Sequence, residues 1–226
     1  MIALALSVLC SSVIFVVFKL FDTYKVQTLF AIITNYFVAS CCGFLLYESP
    51  VDFSDLIQKP WFFKTLALGL LFILIFNIMA NTAQKAGVAV ASVATKMSFV
   101  IPVMIGIFAY KEELSWFKVL GILLAMGAVY FASVKEESIK MSREVLLLPF
   151  LVFLGSGAID AGIKYFQETQ LTTEEFPLFS ASVFAAAGCT GLLFIGARSF
   201  VAPLQLNLKN MAGGLALGIP NYFSIF

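Results

Sequence analysis

An all-α integral membrane protein is the fold class this sequence predicts, and three observations carry that expectation. Apolar residues make up 61% of the 226 and charged residues 12%, against about 45–50% and about 25% in soluble domains. The apolar residues gather into runs of roughly 20, the length that crosses a hydrocarbon core as a helix. The chain also resembles itself at a nearly constant offset, as repeat-built membrane proteins do. A soluble chain of this size has too little interior to hide its 25 phenylalanines, and a bilayer removes that problem.

Eight spans follow in order, each an apolar run closed by charges or turn residues. The first covers 2–21; it lacks a positive leader region and stays apolar to Leu20, so it reads as a retained helix. Asp22 to Lys25 separates it from the second, 26–47. The longest polar connection, Glu48 to Trp61, holds Pro50, Asp52, Asp55, Lys59 and Pro60. Beyond it come 62–84 and 87–110, parted by the Lys85-Ala86-Gly87 turn, and then 116–134. The charged Lys135–Arg143 connection leads to 145–167, 177–199 and 211–226. No connection is long enough to hold a second domain.

Lys and Arg near helix ends set the expected orientation. Lys59, Lys64, Lys111 and Lys118 lie on the side of the N-terminus, while Lys19, Lys25, Lys85, Lys135, Lys140, Arg143, Arg198 and Lys209 lie on the other. That bias places the N-terminus outside, and the setting expected is a bacterial cytoplasmic membrane crossed many times.

The repeat is read from three stretches. Ser11 to Phe21 lies over Ser156 to Phe166, with Ser, Ile, Lys and Phe coinciding, at an offset of 145. Cys41-Cys42-Gly43-Phe44-Leu45 lies over Cys189-Thr190-Gly191-Leu192-Leu193 at 148, and Leu66-Ala67-Leu68-Gly69 over Leu215-Ala216-Leu217-Gly218 at 149. The first unit covers 1–134 and holds five helices. An odd number makes its second copy, 145–226, enter the membrane from the opposite side, the inverted arrangement found in secondary transporters. A complete second unit is expected to end near about position 283, so 145–226 holds about two and a half helices of it.

Composition excludes several chemistries. Histidine is absent, which removes an imidazole base, a His-ligated metal and a Ser-His or Cys-His pair. Cys10, Cys41, Cys42 and Cys189 lie in apolar runs without a C-x-x-C pair, so neither a zinc site nor a disulfide framework is expected. A net charge of +1 without a basic run excludes a nucleic-acid footprint. No P-loop is present, so ATP is not the direct energy source. No catalytic residue, metal or cofactor is assigned.

The segment from Ala83 to Ser133 carries a pattern: a small-residue-rich helix from Gly87 to Lys96, then Pro102, a Tyr110-Lys111-Glu112-Glu113-Leu114-Ser115 turn, and Gly121 nine positions after Glu112. It resembles the drug/metabolite transporter superfamily, specifically its ten-helix EamA-type members built of two five-helix repeats. The first helix fits too, since Lys19 and Lys164 stand where that family often carries Lys or Arg. Where its second helix often has an arginine, this chain has Thr34-Asn35-Tyr36. The resemblance implies transport of a small-molecule solute through a lipid bilayer. A homodimer is compatible with it.

Polar residues inside the spans are the candidates for that task. Lys96 lies about 13 Å along its helix from Gly87, near the bilayer centre, where a charge costs about 2.5–3.5 kcal/mol on insertion scales. Facing an aqueous cavity would relieve it and let it hold an anionic group. Asp160 and Lys164, four apart on one helix face, form a coupling pair or a pair that merely neutralises itself. Asn77 and Asn81 make a polar stripe that binds solute or a neighbouring helix, and Asn35 with Tyr36 is expected at the same cavity. Pro102 and Pro220 are hinge candidates. Alternating access by a secondary transporter, driven by protons or by exchange, is the expected activity. A membrane-embedded lipid-modifying enzyme using Glu112 and Glu113, and a non-transporting scaffold, are the competing expectations.

Overall fold

The structure is a computed structural model that describes residues 2–47, 52–109, 111, 115–117, 119–124, 143–199 and 207–224. Among the described residues it is all-helical. The helices are α1 (Ile2–Thr23), α2 (Thr28–Leu46), α3 (Phe53–Gln58), α4 (Phe62–Lys85), α5 (Val88–Met97) and α6 (Val100–Ala109). Residues 119–124 form α7, followed by α8 (Arg143–Thr169), a 3-10 turn (Thr173–Glu175), α9 (Phe176–Ser199) and α10 (Leu208–Phe223).

Six helical segments are long and apolar enough to cross a membrane among the described residues: Leu6–Thr23, Thr28–Leu46, Phe62–Lys85, Val88–Ala109, Leu147–Thr169 and Phe176–Ala197. They coincide with six of the eight expected spans. Of the expected 116–134 span, residues 125–134 lie outside the described residues, as do Glu112, Glu113, Leu114 and most of the Lys135–Arg143 connection. The expected 211–226 span begins earlier, at Leu208, and α10 is 16 residues long.

Two elements depart from the sequence reading. The polar stretch after α2 was expected as a plain connection, yet it contains α3, because Asp52 Oδ1 accepts from the Ser54 backbone N–H at 2.9 Å and caps a turn. The expected continuous span over 87–110 is split at Ser98–Phe99 into α5 and α6. Pro102 explains the split: it has no N–H for the Ser98 carbonyl four residues back, and its ring crowds that carbonyl. Ser98 O instead accepts from Ile101 N at 2.9 Å. Gly87 turns the chain from α4 into α5 at φ 104°, a conformation that only glycine adopts without strain.

Helix packing centres on α2, which lies between α10 and α9; α4 packs on α9 and α8, and α1 on α10. Small residues permit the close approaches. A Cβ on Gly69 of α4 would lie 2.8 Å from Ala186 Cβ of α9, and one on Gly218 of α10 would lie 2.6 Å from Val38 Cβ of α2. At their centre Tyr36, Phe72, Phe76 and Phe184 form an aromatic layer with ring centroids 5.4–6.4 Å apart. The Tyr36 hydroxyl is fully buried and donates to Phe72 O at 2.8 Å, which removes its desolvation cost. Outward, Leu45, Leu66, Leu70, Leu74, Leu193 and Phe194 are exposed, an apolar exterior suited to lipid.

Candidate functional site

A cavity of about 270 Å³ opens between α1, α4, α5, α8 and α10. Its apolar walls include Phe15, Phe72, Phe76 and Phe99, and its polar corners include Ser11, Lys96, Ser156, Asp160 and Asn221. The break after α5 builds one side of it. Lys96 falls in the last turn of α5, where a cation complements the free carbonyls of the helix end. Its ammonium donates to Ser11 Oγ of α1 at 2.8 Å.

Asp160 faces this lysine from α8. The Lys96 charge acts on its carboxylate, and the Ser98 hydroxyl beside the helix break lies next to it. Ser156, one turn earlier on the same face, is 5% exposed, and its hydroxyl has no hydrogen-bond partner. Lys164, one turn after Asp160, is not part of the cavity lining. Opposite charges from α5 and α8 therefore face one cavity, a relation between helices that spacing along one helix does not report.

Asn35 is fully buried and does not line the cavity, but it holds a residue that does. The Asn221 side-chain amide donates to Asn35 Oδ1 at 3.1 Å, and Asn35 Nδ2 donates to Ile32 O at 3.3 Å. Tyr36 lies behind Phe72 and Phe76. Pro220 sits inside α10 next to Asn221, and its carbonyl accepts from Ser224 N at 2.9 Å. Pro102 is in the first turn of α6 and is not among the lining residues.

Asn77 and Asn81 lie elsewhere. They line a groove of about 480 Å³ with Thr28, Gln84, Thr190 and Phe194, bounded by α2, α4 and α9. Asn77 Nδ2 donates to Ile73 O of its own helix at 2.8 Å. This groove is larger but contains no ionisable side chain, so the smaller, doubly charged cavity is the stronger candidate for recognising a polar solute.

Ser11, Ser156 and Asn221 were not singled out as site residues by the sequence. Ser11 and Ser156 do coincide in the repeat alignment, and that coincidence was the available signal. Asn221 offered none beyond its place after a helix-interrupting proline.

Away from the cavity, Lys59 Nζ pairs with Glu175 Oε1 at 2.6 Å, joining the connection before α4 to the 3-10 turn before α9. The Glu175 hydrogen bond and charge raise the Lys59 ammonium above its usual value. Burial pushes the Glu175 carboxyl up, but the Lys59 and Thr172 hydrogen bonds and the lysine charge outweigh that and hold it below its ordinary value.

Residues 1–134 match the EamA-like transporter family. An uncharacterized protein of Haemophilus influenzae is 27% identical over 98% of this chain and 76% of its own length. No solved structure matches.

Proposed function

The chain belongs to the EamA-like transporter family, and on that premise we propose that it is a secondary transporter moving a small solute by alternating access. The observation that carries this reading is the meeting of Lys96 and Asp160 at one cavity, from helices in different halves of the chain. Intramembrane charges that face a cavity mark solute and ion pathways. In this reading Lys96 holds an anionic group of the solute, and Asp160, with Lys164 one turn away, couples movement to protons or to a counter-solute. Asn35 fixes the Asn221 amide at the cavity wall, and Tyr36 backs its aromatic side.

Two units, 1–134 and 145–226, form inverted repeats that rock against each other. The packing supports this: Gly69 meets Ala186 as Gly218 meets Val38, and these are corresponding positions at the offsets of 149 and 148 read from the sequence. Likewise α4 packs on α9 as α10 packs on α2, and α8 packs on α4 as α1 packs on α10. Pro102, just after the α5–α6 break, and Pro220, inside α10, act as hinges. Asn77 and Asn81 offer a second polar face to solute or to a neighbouring helix. The setting is a multi-pass protein of a bacterial cytoplasmic membrane, with a homodimer as a possible assembly.

Proteoliposomes holding the purified chain test the reading. Uptake of at least one labelled solute from a broad metabolite panel is expected with an imposed pH gradient or with solute preloaded, and Lys96→Ala is expected to abolish it. Vesicles that move nothing from the panel under either condition count against transport.

A further inference from the structure

The groove between α2, α4 and α9, of about 480 Å³, lies on the outside of the helix bundle. Leu70, Leu74 and Phe194 run along it, and all three are exposed. Its walls belong to the Thr28–Leu46, Phe62–Lys85 and Phe176–Ala197 spans, so it opens toward hydrocarbon and not toward water. Its occupant therefore comes out of the bilayer.

Along α4 the chemistry of this face changes in one direction. Leu70, Leu74, Asn77, Asn81 and Lys85 recur every three or four residues, which puts them on one side of the helix. With 24 residues, α4 is about 36 Å long, so it overhangs a hydrocarbon core of about 30 Å by about 3 Å at each end. Lys85, its last residue, is exposed and stands at the level of the lipid phosphates. Asn81 lies one turn deeper, at the level of the ester groups, and Leu74 and Leu70 lie at the depth of the acyl chains. From the helix end inward, cation, amide and leucine follow the order of phosphate, ester and chain in a phospholipid.

The polar groups suit such a guest. Asn81 is exposed, and among the described residues its side-chain amide has no hydrogen-bond partner. An unpartnered amide at the edge of hydrocarbon is costly, and an ester carbonyl removes that cost. Asn77, by contrast, donates to Ile73 O at 2.8 Å within its own helix. The adjoining wall is fixed, because Gln84 Nε2 donates to Thr28 Oγ1 at 3.0 Å and to Phe18 O at 3.1 Å. Lys19 Nζ donates to the Gln84 carbonyl at 3.0 Å, which adds a second ammonium at this end of the groove. Among the described residues no carboxylate lies within 4.0 Å of the Lys19 or Lys85 ammonium, so both charges attract an anionic headgroup.

We propose that this groove binds one phospholipid from the leaflet in which Lys85 lies, and that it prefers an anionic one. The phosphate lies on Lys85, an ester carbonyl accepts from Asn81, and an acyl chain runs over Leu74 and Leu70 against Phe194. The site is separate from the Lys96–Asp160 cavity and does not depend on transport.

The full chain carrying Phe194→Trp, reconstituted in dioleoylphosphatidylcholine vesicles, tests the proposal. Phe194 is 59% exposed, so the larger ring is accommodated. Phosphatidylglycerol with dibrominated chains quenches a tryptophan that it touches, and the parent chain supplies the background from Trp61 and Trp116. The added signal is expected to fall as one saturable site, with at least about fivefold preference over brominated phosphatidylcholine. Lys85→Gln should lower that preference about fivefold. Unbrominated diester phosphatidylglycerol should displace the brominated lipid about threefold better than its diether analogue, and Asn81→Leu should abolish that difference. Glycerophosphoglycerol, the headgroup without chains, should displace nothing. Should Lys85→Gln or Asn81→Leu fail to fold, the ester, ether and headgroup series in the Phe194→Trp chain still decides. A preference below about twofold overturns the proposal, as does one that Lys85→Gln leaves within about twofold of its starting value. Equal displacement by ester and ether lipids, or displacement by the free headgroup, also overturns it. So does a tryptophan at this position that no brominated lipid reaches, which would mark the groove as the seat of a second protein chain.

Discussion

The side-chain amide of Asn221 donates to Asn35 Oδ1 at 3.1 Å, so α10 is tied to α2 by a buried polar contact at the edge of the cavity. Interhelical hydrogen bonds inside membrane proteins are worth about 0.6 kcal/mol on average and up to about 1.7 kcal/mol, since the separated helices also find partners in lipid. A double-mutant cycle of Asn35→Ala and Asn221→Ala, read by reversible unfolding, is expected to return a coupling in that range. Additive effects of the two substitutions would mean that the contact contributes nothing.

Glycine substitutions test the packing. A Cβ at Gly69 meets the Ala187 backbone nitrogen at 2.7 Å, and one at Gly218 meets the Asn35 carbonyl oxygen at 2.8 Å. Backbone atoms cannot swing aside, so Gly69→Ala and Gly218→Ala should each destabilise by about 1–3 kcal/mol. Gly121, where none of the described residues lies within 4 Å of the added atom, is the control. There, Gly121→Ala should be neutral or stabilising by up to about 1 kcal/mol through helix propensity. Melting temperatures of the three variants in one detergent decide the matter.

The Lys59–Glu175 pair gives a pH dependence. Glu175 is held below its ordinary value of 4.5 when folded, so its contribution is present above that pH and is lost as pH falls through the lower folded value. Lys59 is raised above 10.5, so its contribution is complete below that pH and is lost as pH rises through the higher folded value. Both limbs are shallow, about 0.2–1 kcal/mol before screening by salt and solvent, because the lysine side chain is 38% exposed. Glu175→Gln should flatten the acid limb in a pH series of unfolding midpoints, and an unchanged limb would assign it to other carboxyls.

Pro102→Ala restores an N–H facing the Ser98 carbonyl and permits α5 to run on into α6. The variant is expected to melt at a higher temperature than the parent, while its flux in proteoliposomes falls several-fold. Faster flux alongside the higher melting temperature would show that the break is not used as a hinge.

Much of the fold was legible because lipid imposes a strict length rule on apolar runs. The expected 62–84 and 177–199 spans differ from α4 and α9 by a single residue at one end. Within the fourth span, the break was signalled by Pro102, but its position was not, because the proline acts on the carbonyl four residues earlier. The six-residue α3 was missed, since a single Asp52 cap in a polar stretch leaves no periodic trace. At the site, Lys96 and Asp160 stood out because charge is rare in these spans. Their meeting across two helices did not, since spacing reports only neighbours on one helix, and Lys164 was therefore the visible partner for Asp160. The same limit grouped Asn77 and Asn81 with Lys96, although helix rotation turns them toward a separate groove.

The aromatic layer behind the cavity bears on electrical leak. Phe72 and Phe76 end the polar space on one side, and the void behind Phe72, against Phe179 and Phe184, measures about 10 Å³. A single water needs at least about 10–15 Å³ and two to four polar partners, and this void offers chiefly apolar walls. A file of water molecules entering from the cavity therefore stops at the phenylalanine rings on that side. Apolar rings in that position close one flank of the cavity to water and to the ions that water would carry.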